Sequence, residues 1–219
     1  MNTQTRYEIR LGLIALALSG FLFALHFVLR GPFDPADPGA CCRTAVSPTY
    51  MLTNTIFLLA MLLNLCGFLG LYRYLTYQAE NRIAFLAVVL TTAGLALFLP
   101  VAGFYVVNVP VIADLYQQGN QAVIAVVESN FVGPGLVILG LSSVGGIGGA
   151  ILFAVAIWRD GRLPNWTAVF LGPSLLLMSL PLTLFPTELL GAVLLLVSAS
   201  VIAWKGWQES AVGTATANR

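Results

Sequence analysis

Six long apolar stretches, separated by short polar segments, dominate this sequence of 219 residues. A helix needs about 20 mostly apolar residues to cross the hydrocarbon core of a bilayer, where it satisfies its own backbone hydrogen bonds. The stretches that meet this requirement cover residues 11–29, 51–72, 83–107, 131–158, 166–184 and 187–204. The sequence therefore predicts an all-α fold, a polytopic transmembrane helical bundle of about six spans in a single integral membrane domain.

The composition also favours a membrane protein. Hydrophobic residues make up 58% of the chain and charged residues 9%, and the mean hydropathy is +0.90. A water-soluble globule of this length has too few polar side chains to cover that much apolar surface. The net charge is only +1 and no run of Lys or Arg occurs, which argues against nucleic acid as a partner. The lipid bilayer is the expected partner.

The basic residues are divided unevenly between the two sides of a six-span fold. Two of them, Arg30 and Arg43, fall on one side. The eight on the other side are Arg6, Arg10, Arg73, Arg82, Arg159, Arg162, Lys205 and Arg219. Because cytoplasmic loops carry an excess of Lys and Arg, this division predicts that both termini are cytoplasmic. We expect a multi-pass protein of a bacterial cytoplasmic membrane.

Three segments lie outside the predicted spans. Residues 30–50 contain four prolines and are predicted as an outer loop. Residues 108–130 have an amphipathic pattern that predicts two short helices on the outer membrane surface, as packing or, alternatively, as a functional lid. Residues 205–219 are predicted as a flexible cytoplasmic tail. The hairpin before Pro186 is so short that a re-entrant pair is an alternative to two full spans.

Ionisable side chains are almost absent from the predicted spans, where each would cost at least about 2.5 kcal/mol. His26, the only histidine, lies near the outer end of the first span. Glu188 lies at the outer start of the sixth span, where the positive end of the helix favours a carboxylate. That interaction is the favoured interpretation for Glu188, and a proton or ion relay is the alternative. For His26 a local hydrogen bond is favoured, and an active role is the alternative. The sequence predicts no cofactor and no metal site.

Cys41 and Cys42 are adjacent in the first outer loop. Adjacent cysteines can close only a strained ring, and strain makes a disulfide more reducible, so a redox role is chemically allowed. The C-x-x-C pattern of membrane thiol oxidoreductases is absent, and so are the sequence motifs of serine hydrolases and zinc proteases. A structural role for the cysteines is therefore favoured, and the prediction leans away from an enzyme.

The predicted fourth span is rich in glycine, and Gly145 and Gly149 have the small-xxx-small spacing that lets two membrane helices approach closely. Packing within the chain is favoured, and contact with a second copy or another membrane protein is the alternative. In the third span, Pro100 frees a backbone carbonyl. Together with Asn108 it is a candidate to line a cavity for a small ligand or a transported solute.

Two short motifs occur in the C-terminal third. One is the basic turn RDGRLPNW at residues 159–166, and the other is the ending AWKGW at residues 203–207. With the six-span layout and the longer first outer loop, they resemble a family of small bacterial membrane proteins described only as a domain of unknown function, number four-three-eight-six. That family has no established activity, so the resemblance implies a six-helix membrane fold and no catalytic residue.

These patterns lead to one functional hypothesis and two alternatives. The leading hypothesis is a non-enzymatic integral membrane protein that acts through helix–helix contacts or binds a small hydrophobic ligand. The alternative is a small transporter or permease-like protein. A thiol-dependent membrane redox protein is the least favoured.

Overall fold

The computed structural model describes residues 3–31, 45–129, 132–179 and 185–215. These residues form helices and turns without any strand, so the predicted all-α fold class is confirmed. The helices are α1 Thr3–Arg30, α2 Pro48–Thr76, α3 Arg82–Gln117, α4 Ile124–Glu128, α5 Gly133–Asp160, α6 Asn165–Ser179 and α7 Phe185–Ala215. A 3-10 turn, Gln121–Val123, precedes α4.

Five of these helices, α1, α2, α3, α5 and α7, are long and apolar enough to cross a membrane. The chain is therefore an integral membrane protein. Helix α6 has 15 residues, which span about 22 Å, less than the hydrocarbon core of about 30 Å. Residues 180–184, which complete the predicted fifth span and its hairpin, lie outside the described residues.

Two helices are longer than the sequence predicts. Helix α3 continues to Gln117, so the first half of the predicted surface segment 108–130 belongs to the third span, and the prediction of two separate surface helices is wrong there. The helix continues because Val109 and Ala113 are buried in one apolar cluster with Val127, which stabilises the additional turns. Helix α7 continues to Ala215, where a flexible tail is predicted.

Six helices form a closed ring in chain order, namely α1, α2, α3, α5, α6 and α7. Each packs chiefly against the helix before and after it, and α7 closes the ring by packing on α1. A single apolar core with contributions from all six helices fills the ring, and Phe68 and Phe153 stack within it with their centroids 5.1 Å apart. The ring therefore encloses packed side chains.

Neighbouring helices in the ring alternate in direction, so the bundle has two distinct ends. The first residues of α1 and the last residues of α7 lie at one end, which we call the terminus end. The opposite end carries α4 and a small apolar cluster, and we call it the cap end. The cluster consists of Ala45, Val109, Ile112, Ala113 and Val127.

Glycines allow several neighbouring helices to pack closely. A Cβ at Gly12 of α1 would lie 2.5 Å from the Cα of Gly70 of α2. One at Gly94 of α3 would lie 2.5 Å from the backbone nitrogen of Gly146 of α5. Backbones approach this closely in membranes only where side chains are small, since packing rather than the hydrophobic effect drives association there.

Candidate functional site: a groove between α5 and α6

The largest of the cavities that we describe is an open groove of about 510 Å³ between α5 and α6. Ile151, Trp158 and Val169 of its lining are about half exposed, so the groove opens on the outer surface of the bundle. The residues that line it are Ile151, Ala154, Val155, Trp158, Arg159, Ala168, Val169, Gly172, Pro173 and Leu176. Only Arg159 among them is ionisable, so the groove suits an apolar molecule.

Small residues explain why the groove exists. Ala154, Ala168 and Gly172 form its floor, and a Cβ at Gly172 would lie 3.4 Å from that of Ala154. The larger side chains of Ile151 and Val169 stand at its sides, about half exposed. Two helices that pack closely through small residues leave a furrow between their larger flanking side chains.

Trp158 and Arg159 lie at the terminus end of the groove, in the last turn of α5, and both are exposed. Tryptophan and arginine are typical of the boundary between hydrocarbon and head groups. The groove therefore extends from the membrane interface into the apolar region. Its ends differ chemically, with a cation at one and only aliphatic side chains at the other.

The turn after Arg159 is held in place by Arg162. The guanidinium of Arg162 donates to both carboxylate oxygens of Asp160 at 2.8 and 2.9 Å and to the carbonyl oxygen of Tyr74 at 3.0 Å. It also lies 4.7 Å from the ring centroids of Tyr74 and Tyr77. This network ties the α5–α6 turn to the end of α2 and fixes the terminus end of the groove.

The Asp160 carboxylate also raises the pKa of Arg162. Burial lowers the pKa of the Arg162 guanidinium, but the hydrogen bonds and charge of Asp160 outweigh that effect, so the pKa lies above its ordinary value. The ion pair with Asp160 therefore favours the charged form of Arg162.

Of the residues predicted from sequence, Gly145 and Gly149 are placed against α3 of the same chain. A Cβ at Gly145 would lie 2.9 Å from the Cα of Gly94, and one at Gly149 would lie 2.7 Å from the backbone nitrogen of Thr91. These two glycines therefore serve packing within the described bundle. In contrast, a Cβ at Gly140 of the same helix would have no neighbouring atom within 4 Å.

His26 and Glu188 both lie near the cap end and are buried. The Nδ1 atom of His26 is 2.8 Å from the carbonyl oxygen of Thr53, and its ring packs against Phe57. Glu188 forms an ion pair with Arg30 of α1. The sequence does not identify Arg30 as this partner, although Arg30 and Glu188 both lie at predicted outer ends of spans.

Pro100 and Asn108 are both exposed on α3 and line neither of the cavities described here. The second cavity, of about 300 Å³, lies at the cap end, where Ala45, Met51 and Pro110 contribute to its lining. Cys41 and Cys42 lie outside the described residues. Within the described ranges, no group of three or more His, Cys, Asp or Glu residues could hold a metal ion.

Asn64 is a polar residue within the second predicted span, where the sequence allows either a cavity lining or an interhelical hydrogen bond. It is fully buried in α2, and neither its amide nitrogen nor its oxygen has a hydrogen-bond partner among the described residues. An unpaired buried amide is costly, by about 1–3 kcal/mol. Asn64 lines neither cavity, so the groove between α5 and α6 is the stronger candidate for a binding site.

No protein-family model, curated protein or solved structure matches this chain. The resemblance noted for the C-terminal third therefore stays a prediction.

Proposed function

We propose that this integral membrane protein binds an acyl chain of a membrane lipid in the groove between α5 and α6, and that it acts as a binding protein rather than an enzyme. The observation that carries the proposal is the groove itself, a furrow with apolar walls that opens toward lipid and ends at Trp158 and Arg159. This is one form of the small hydrophobic ligand that the sequence suggests.

The dimensions of the groove support an acyl chain. The lining residues of α5 run from Ile151 to Arg159, eight helical steps or about 12 Å along the bundle. Its volume of about 510 Å³ lies within the range of about 300–1,000 Å³ usual for small-molecule sites. The groove also follows the helix axis, which is the direction of the acyl chains in a bilayer.

The lining chemistry supports binding without catalysis. The single ionisable group is the guanidinium of Arg159, which offers hydrogen-bond donors and no acceptor. No serine, cysteine or histidine lines the groove. Since lipid tails are as apolar as leucine, packing and shape rather than the hydrophobic effect must hold the chain there.

Photolabelling of the detergent-purified chain tests the proposal. The probe is a phosphatidylcholine with a diazirine midway along one acyl chain, added in trace amount. We expect adducts on the groove floor, at Ala154 and Ala168, to exceed those at Val144, an α5 residue that is 70% exposed outside the groove. Mass spectrometry of the labelled peptides measures both.

Val169→Phe fills the groove from its exposed side, and Val144→Phe is the matched control. Losing about 1 kcal/mol of packing should reduce floor labelling about fivefold in the first variant and leave it unchanged in the second. Equal floor labelling in both variants would contradict the proposal. So would cross-linking of one chain to another through the groove, because a second copy would then occupy it.

A further inference from the structure

Arg159 stands at the terminus end of the groove without any partner among the described residues. It lines the groove, it is exposed, and it makes no hydrogen bond, ion pair or ring contact there. A cationic side chain at the membrane interface is stabilised by water, by lipid head groups or by a bound anion. The position of Arg159 makes it the first polar group that a lipid in the groove would meet.

The acidic residue next to Arg159 does not neutralise it. Both carboxylate oxygens of Asp160 accept hydrogen bonds from Arg162, and Arg162 is held away by its bond to the carbonyl oxygen of Tyr74. The structure thus commits the only nearby carboxylate of this turn to a different arginine. The charge of Arg159 remains available to a ligand.

Two neighbouring features increase the attraction of this end for an anion. Helix α6 begins here, with Ala168 and Val169 of its first turns lining the groove, and the first turn of a helix carries partial positive charge. The indole of Trp158, which is 54% exposed, is an amphipathic ring of the kind found at head-group level. No acidic side chain lines the groove.

We infer that the groove selects lipids with a net anionic head group, whose phosphate is bound by the Arg159 guanidinium while one acyl chain lies between α5 and α6. The inference rests on the proposed function, because it assigns the lipid class to the same groove. Arginine suits this task, since its planar guanidinium can donate two parallel hydrogen bonds to a phosphate. Arg162 acts as a positioning residue by keeping Asp160 from Arg159.

The experiment compares two photoactivatable lipids with identical acyl chains, a phosphatidylglycerol and a phosphatidylcholine, on the full-length chain in neutral detergent. One basic side chain near a membrane surface contributes about 1 kcal/mol, so labelling of the groove floor should favour phosphatidylglycerol about fivefold. The preference should shrink at high salt, because Arg159 is exposed and its charge is screened.

Arg159→Gln should reduce the preference to about one while leaving phosphatidylcholine labelling of the floor intact. Arg73→Gln is the matched control, because Arg73 is an exposed arginine in the last turn of another helix at the terminus end. This control should keep the full preference. Arg159→Lys should retain most of it, since the charge remains.

The possible results separate the two proposals. Equal labelling by the two lipids in the unmodified chain, or an unchanged preference in Arg159→Gln, would overturn the head-group assignment and leave the acyl-chain site standing. Absence of floor labelling with either lipid would overturn the proposed function. Glycerol phosphate, which has no acyl chain, should not compete with phosphatidylglycerol, and competition at equal concentration would overturn the assignment to a lipid.

Discussion

Arg30 and Glu188 form an ion pair between the last turn of α1 and the first turn of α7. The Glu188 side chain is 6% exposed and that of Arg30 is 26% exposed, so the carboxylate is the group that most needs its partner. Arg162 and Asp160 form a second pair at the terminus end. These two pairs compensate four charges within the chain, whereas Arg159 has no such partner among the described residues.

Glu188→Gln should destabilise the bundle by about 1.5–3 kcal/mol, because it removes the charge of the carboxylate that accepts a hydrogen bond from Arg30. Thermal unfolding in detergent, followed by circular dichroism, measures the change. Glu80→Gln is the control, since Glu80 is exposed between α2 and α3. If the Glu188→Gln and Glu80→Gln variants unfold at the same temperature, the ion pair does not contribute to stability.

At the scale of elements, the contact between α3 and α5 depends on glycine. Gly94 meets Gly145 and Gly146 with no side chain between the two backbones, and the Thr91 side chain lies over Gly149. The small-xxx-small pair predicted from sequence therefore packs against a helix of the same chain. Helix α6, in contrast, is short and meets α5 through Ala154 and Gly172, which leaves the groove on its outer side.

Gly94→Ala should force α3 and α5 apart, since the new Cβ would lie 2.5 Å from the nitrogen of Gly146 and 2.7 Å from the oxygen of Ser142. Overpacking of this kind costs about 1–3 kcal/mol. The melting temperature in detergent measures the loss. Gly140→Ala, on a face of α5 with nothing within 4 Å, should not lower it, because alanine favours helix. A melting temperature that falls equally in both variants would refute the close contact.

At the scale of the whole molecule, the ring places the first described residues of α1 and the last described residues of α7 at one end, together with Arg73, Arg82, Arg159 and Arg162. The cap end carries α4, and its described residues include the buried pair of Arg30 and Glu188. Among the described residues, basic side chains are more numerous at the terminus end, and the positive-inside rule then predicts that this end is cytoplasmic. In that orientation Arg159 lies in the cytoplasmic leaflet, whose negative surface potential comes from its anionic lipids. Those lipids are the ligands that we infer for the groove.

The orientation is testable by labelling single cysteines in a background without Cys41, Cys42 and Cys66. Glu80→Cys lies at the terminus end and Gln118→Cys at the cap end, and both positions are exposed. A membrane-impermeant maleimide applied to intact bacterial cells should modify the Gln118→Cys variant and should reach the Glu80→Cys variant only after lysis. The reverse pattern would invert the orientation and place the groove's arginine in the outer leaflet.

The sequence by itself determined the all-helical membrane fold, because hydropathy and length alone decide which segments can leave water. It also indicated close packing at Gly145 and Gly149, since small residues at that spacing have one common use in membranes. It placed the end of α3 too early, because its apolar periodicity cannot show that Val109 and Ala113 gain burial against residues distant in the chain.

Only the tertiary structure decided where a ligand could bind. The groove needs Ala154 and Gly172 to face one another across two helices, and the availability of Arg159 depends on Asp160 being held by Arg162 instead. The partner of Glu188 likewise emerges only when the ring closes α7 onto α1. Hydropathy is a property of single residues summed along the chain, whereas a groove and an uncompensated charge are properties of residues brought together from different helices.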